Sequence, residues 1–174
     1  MYFSPAQISL AEQAFARAEK LASGYFRFDR RGLKSHRYDV RTKAYLQEHE
    51  VRDRAFAHLC KYQYGEEAAG ASGGGRHFYR ICLQDDRILD AVERAHSFIR
   101  LGPLLLYIAT HELVHVIRFE DGVIAFDAPE EVKEQEEEAV HQITRRMLQP
   151  VVNPDLGLVL DCFSNRYRIG DIAQ

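Results

Sequence analysis

Residues 102–119 read Gly-Pro-Leu-Leu-Leu-Tyr-Ile-Ala-Thr-His-Glu-Leu-Val-His-Val-Ile-Arg-Phe, an apolar run that carries the pentad His111-Glu112-Leu113-Val114-His115. Proline is tolerated in a first helical turn, and Asp121-Gly122 is a turn signal. The stretch therefore predicts one helix that ends near Phe119. Leu104 and Ile108 precede His111 and His115 on one helical face, so both imidazoles point toward the core, one turn apart. A buried polar pair needs a partner. That partner is either backbone or one tetrahedral zinc ion, which two imidazoles at this spacing can share. With a metal bound, Glu112 is placed to take a proton from water at the ion.

A catalytic zinc has three protein ligands and one open position, so the two histidines leave one ligand to find. A metzincin would need glycine and histidine where this chain has Arg118 and Asp121, which excludes that reading. Glu120 falls where the helix ends and would have to fold back. The next helix is the better source. Asp127-Ala128-Pro129-Glu130 reads as a capping box, Pro150 is a stop, and six of the nine residues from Glu130 to Glu138 are glutamate. Most of these form a solvated face that favours the helix dipole. Glu136, however, shares a face with Ala139, Val140, Ile143 and Met147. A carboxylate on an apolar face is expensive to bury unless a cation offsets the cost. Glu136 is the expected third ligand and Glu137 the next candidate, with Glu137 and His141 reading as an ordinary surface pair at i,i+4.

The pentad, then twenty residues, then Glu136-Glu137-Glu138-Ala139 resembles a gluzincin, in which a glutamate on the following helix, often in a Glu-x-x-Ala pattern, is the third zinc ligand. The helix ending Met147-Leu148-Gln149-Pro150 is similar to that of the ImmA/IrrE-like branch. The resemblance covers about residues 100–150, and Val114 stands where many members of that branch have glycine. It implies an α+β, zincin-like fold, mostly helical with a small sheet. It also implies a Zn2+ cofactor held by His111, His115 and Glu136, with Glu112 as the catalytic base. The implied activity is that of a small metallopeptidase acting on a peptide or protein substrate. Two other functions share parts of the pattern. Peptide deformylase has a similar length, the same pentad and a cysteine ligand from an upstream strand, for which Cys82 is the candidate. A non-catalytic scaffold would use the zinc structurally, or bind a partner through the acidic helix.

The remaining composition narrows the setting. The chain has 174 residues, 46% hydrophobic and 28% charged, which suits one domain with a sizeable core. A net charge of -3 gives no reason to expect nucleic acid or an anionic membrane as a partner. Cys60, Cys82 and Cys162 show no Cys-x-x-Cys spacing, which points to a reducing compartment. Leu101 to Thr110 is too short to span a bilayer, and Met1-Tyr2-Phe3-Ser4-Pro5 lacks the features of a signal peptide. The expected location is cytoplasmic.

Within the single domain 1–174, an N-terminal helical half spans about 1–64, a glycine-rich loop 65–76 and a metal-binding half 77–174. Ser4-Pro5-Ala6-Gln7 predicts a capped helix that ends at Gly24. A short strand is expected near Tyr38–Thr42, a helix from about Lys43 to Tyr62, a strand over His77–Leu83 and a helix from about Asp86 to Ile99. Short strands are candidates at Val123–Phe126 and Leu158–Leu160. The 77–83 strand is the candidate to hold an extended peptide. Tyr79, His77, Tyr167 and Arg166 are candidate donors to a tetrahedral intermediate.

Overall fold

Leu101–Glu120, here α3, is apolar on nearly every face, and such a helix must be enclosed. In a computed structural model, which describes residues 1–28, 37–64 and 76–164, it is the centre of the molecule. Leu104, Leu105, Leu113 and Ile117 are all at most 1% exposed, and burying each such side chain contributes about 1.5–3 kcal/mol. Packed around α3 are α1 (Pro5–Tyr25), α2 (Asp85–Arg94), α4 (Glu130–Leu148) and α5 (Pro154–Cys162). The described residues thus make an α+β fold of five α-helices and a small mixed sheet. Among them, no helix is long and apolar enough to cross a membrane.

The sheet has the order β1-β3-β2, with β1 at Tyr38–Arg41, β2 at Ala57–Tyr64 and β3 at Arg76–Leu83. β3 runs parallel to β1 and antiparallel to β2, with Tyr79 opposite both Tyr38 and Lys61. Tyr79, Ile81 and Leu83 alternate onto the face that joins the helical core. Because β3 is paired on both sides, an added peptide strand has no free edge there. Among the described residues, the outer edges belong to β1 and β2 instead.

Local signals explain most element boundaries. The Ser4 hydroxyl accepts from the Gln7 amide while the Gln7 side chain accepts from the Ser4 amide, the reciprocal cap expected for α1. The helix expected over 43–62 is absent. Two short 3-10 turns, at Lys43–Tyr45 and Glu48–Glu50, lead into β2 there. The 57–64 segment pairs residue for residue with β3, and this long-range pairing overrides the local apolar spacing. The N-terminal half is therefore not helical throughout, since it holds α1 and two of the three strands. The glycine-rich stretch lies outside the described residues over 65–75.

α2 ends at Arg94, short of Ile99, where His96 and Ser97 take φ of 45° and 70°. Val123–Phe126 forms turns rather than a strand. Leu158–Leu160 lies inside α5, whose cap is the Asn153 side chain accepting from the Leu156 amide, with Pro154 in the first turn. α4 starts after Pro129, with no side-chain cap from Asp127.

A polar knot fastens the outer face of the sheet. Glu50 is fully buried and accepts from the Gln47 amide at 2.9 Å, from Arg80 Nη1 at 3.1 Å and from the Tyr62 hydroxyl. Arg80 also clamps Asp39 of β1. Burial opposes ionisation of Glu50, but its hydrogen bonds to Tyr62, Gln47 and Arg80 hold the carboxyl below the usual carboxylate range. A folded-state value below the unfolded one stabilises the fold above the ordinary carboxylate pKa, and that stabilisation is lost as pH falls toward the folded value. Glu50→Gln should therefore cost about 1–3 kcal/mol at neutral pH. The gap to wild type should close below about pH 4.3. Urea unfolding at several pH values checks this. In the same assay Leu104→Ala should cost about 2–5 kcal/mol at all of them.

Candidate metal centre

The pentad lies in the middle of α3, with each imidazole held by an aromatic one turn away. His111 stacks on Tyr107 at 6.0 Å between ring centroids, and His115 stacks on Phe119 at 6.0 Å. Phe163 closes the far side of Tyr107 at 4.1 Å. Val114, between the histidines in sequence, is fully buried in a small cluster with Ala22, Ile117, Val140 and Met147, which forms the seam of α1, α3 and α4.

That seam determines which glutamates of α4 reach α3. Glu136 is 9% exposed, so its place on the buried side is as expected. Its charge partner is Arg118, however, which donates to it twice, with Nη2 to Oε2 at 3.0 Å. This two-pronged pair is a strong form of ion pair, and it occupies the carboxylate that the apolar pattern assigned to a metal. The structure therefore places Glu136, the expected third ligand, on Arg118 and not on the imidazoles. A step of one residue turns a side chain about 100° around a helix, and this brings Glu137 against both imidazoles. Glu137 Oε1 lies 2.8 Å from His111 Nε2, and Oε2 lies 3.0 Å from His115 Nε2. The two Nε2 atoms are 3.1 Å apart.

His141, one turn beyond Glu137, completes the cluster, so the pair is not an ordinary surface feature. His141 Nε2 is 3.5 Å from Glu137 Oε1. His111, Glu137 and His141 offer ligand atoms all within 4.8 Å of one another, a group that could hold a metal ion. The signal that could have revealed His141 is the i,i+4 spacing from Glu137, on a helix whose buried stripe runs Glu136, Val140, Thr144, Met147.

The donor set fits a divalent ion. Ligands bonded to zinc at about 2.0–2.1 Å in a tetrahedron lie about 3.3 Å from one another, close to the separations between the His111, His115 and Glu137 atoms. Two imidazole nitrogens facing each other beside a carboxylate present three lone-pair sites to one point, which a cation satisfies together. Burial holds the His111 imidazole below its usual pKa, against the pull of Glu137. Burial also lowers His141, to about 4, helped by His111. Both rings are therefore neutral and able to coordinate at pH 7. For His115 burial is outweighed by the hydrogen bond to Glu137 and the charge of Glu112, so its pKa is raised. Glu137 resists burial and is held well below the usual carboxylate range by both histidines. Burial pushes Glu112 up to about 7. His111 Nδ1 is buried with no partner among the described residues, so its ring is oriented by the Nε2 contact to Glu137 and by packing on Tyr107.

The other candidates are placed elsewhere. His77 Nε2 bonds Glu120 Oε1 at 2.5 Å, at the end of α3. Tyr79 is 1% exposed and stacks on Phe119. Arg166 and Tyr167 lie outside the described residues. Cys82 is buried on the sheet face opposite Tyr79 and Ile81, where its neighbours are Cys60, Glu50 and Arg80. It therefore points away from the core that α3 shares, and a deformylase-like cysteine ligand does not form.

Compared with protein-family models, with curated proteins and with solved structures, the chain finds no match.

The geometry separates the two glutamates by experiment. Glu137→Ala should weaken zinc binding by more than the roughly 10–100-fold typical of losing an outer-shell partner, while Glu136→Ala, which removes only the Arg118 pair that steadies α4, should weaken it by about 10-fold or less. Competition with a chromophoric chelator reads both.

Proposed function

We propose that the protein is a zinc-dependent metallopeptidase with a zincin-like site, hydrolysing a peptide bond in a peptide or protein substrate of the cytoplasm. One observation carries the reading. The Glu137 carboxylate spans both pentad imidazoles, and the intervening Glu112 is half-buried, with its pKa pushed up to about 7. His111, His115 and Glu137 would hold the ion. When bound, zinc polarises a carbonyl and lowers the pKa of water to about 7.

The chain's own residues supply the rest. Glu112 is the general base, and a group tuned close to the working pH transfers protons in both directions most efficiently. It takes a proton from the attacking water and returns it to the amide nitrogen as the C–N bond breaks. Tyr107 and Phe119 fix the imidazole planes and keep bulk water from one side of the cluster. Glu137 has a side chain that is 49% exposed, so the site opens on the α4 side. A substrate carbonyl has access there.

A second reading has its own observation. His141 near Glu137 could serve as a fourth protein ligand, and a site with four protein ligands is closed and structural. The protein would then be a zinc-binding scaffold.

Turnover of a quenched fluorescent peptide library by zinc-loaded protein distinguishes the two. Glu112→Gln should retain one zinc per chain and lose about 10²–10⁴-fold in rate. Full zinc occupancy with no cleavage by wild type would favour the scaffold.

A further inference from the structure

Tyr107 is 1% exposed, and a phenol carries its proton at neutral pH. That proton needs an acceptor, since an unmade hydrogen bond in the interior costs about 1–3 kcal/mol. Among the described residues, its hydrogen-bond partner is His141 Nδ1, at 2.5 Å. A phenol that donates into Nδ1 leaves the imidazole proton on Nε2. His141 Nε2 is the atom that faces the site, 3.5 Å from Glu137 Oε1. The ring is held in that direction by stacking on Tyr107 and Phe163 and by contact with His111 at 4.5 Å. The opposite arrangement, with Nε2 bound to a metal, would require Nδ1–H to donate to Tyr107. The phenol proton would then have no acceptor within the described structure.

We propose that His141 is a catalytic residue of this centre. Held by Tyr107 as the Nε2–H tautomer, it donates a hydrogen bond to the substrate carbonyl oxygen as negative charge develops there, and it is not a fourth metal ligand. This rests on the peptidase reading and supplies the donor that such a reaction requires. Tyr107 is the positioning residue, acting only through Nδ1. The proton stays on Nε2 throughout, so Glu112 remains the only proton carrier.

Imidazole nitrogen NMR on the full chain loaded with NMR-active cadmium tests the assignment without relying on turnover. Cadmium should couple to Nε2 of His111 and His115. His141 should show a protonated, uncoupled Nε2 and a hydrogen-bonded, unprotonated Nδ1. In Tyr107→Phe the His141 signals should shift toward a mixture of tautomers. In the zinc-loaded protein, His141→Ala should change zinc affinity by less than about threefold and lower kcat/KM by about 10²–10³-fold, as loss of an oxyanion donor does. His141→Gln, whose amide also donates, should recover part of that loss.

Coupling of cadmium to His141, or a proton on its Nδ1, would overturn the proposal. So would a His141→Ala rate within about threefold of wild type, because loss of a true donor costs far more. Failure of the peptidase reading itself looks different. Wild type would then carry a full complement of zinc and cleave nothing, whatever the protonation of His141.

Discussion

The packing of α4 across α3 is the constraint on which the site depends. Two carboxylates, adjacent in sequence, cross to the same helix and meet opposite partners. Glu136 takes the Arg118 guanidinium, and Glu137 takes the two imidazoles. Each contact fixes the rotation of α4 for the other. Without Arg118, Glu136 would be a buried charge with nothing to offset it, at a cost of several kcal/mol. Without the seam of Ala22, Val114, Ile117, Val140 and Met147, nothing would hold the two backbones close enough for either contact. The Arg118–Glu136 ion pair thus helps set the geometry of the His111, His115 and Glu137 cluster.

The same packing accounts for the electrostatics. Enclosure of α3 removes water from His111 and Glu112 and shifts both toward their neutral forms. The Glu137 side chain stays 49% exposed on the α4 side. A neutral His111, an ionised Glu137 and a Glu112 brought near neutrality lie together where α3 and α4 meet. The sheet adds support from the side. Tyr79 of β3 stacks on Phe119, which in turn stacks on His115, so β3 reaches the site through two aromatic rings and not through a ligand.

Much of this was legible in the sequence, and the failures have physical causes. The pentad was readable because i,i+4 spacing on a helix is a geometric fact independent of tertiary structure. That α4 turns a carboxylate toward α3 was readable from its acidic run and apolar stripe. The choice between Glu136 and Glu137 was not, because both border the buried face and only the position of Arg118 on the facing helix decides. His141 was passed over for a related reason. Glu137 and His141 look like a solvent pair until Tyr107 is seen beneath them. The apolar spacing over 43–62 favours a helix, but β2 draws its stability from pairing with β3, which local spacing cannot report. Leu158–Leu160 looked like a strand until the Asn153 cap and Pro154 placed it inside a helix.

We propose that side chains from α3 and α4 converge on one divalent ion. Anomalous diffraction at the zinc edge, from crystals of the zinc-loaded protein, tests it most directly. One strong peak is expected, bonded to His111 Nε2, His115 Nε2 and a Glu137 oxygen at about 2.0–2.2 Å, with Glu136 still on Arg118. A peak bonded to Glu136, or zinc found only at sites away from the pentad, would contradict it.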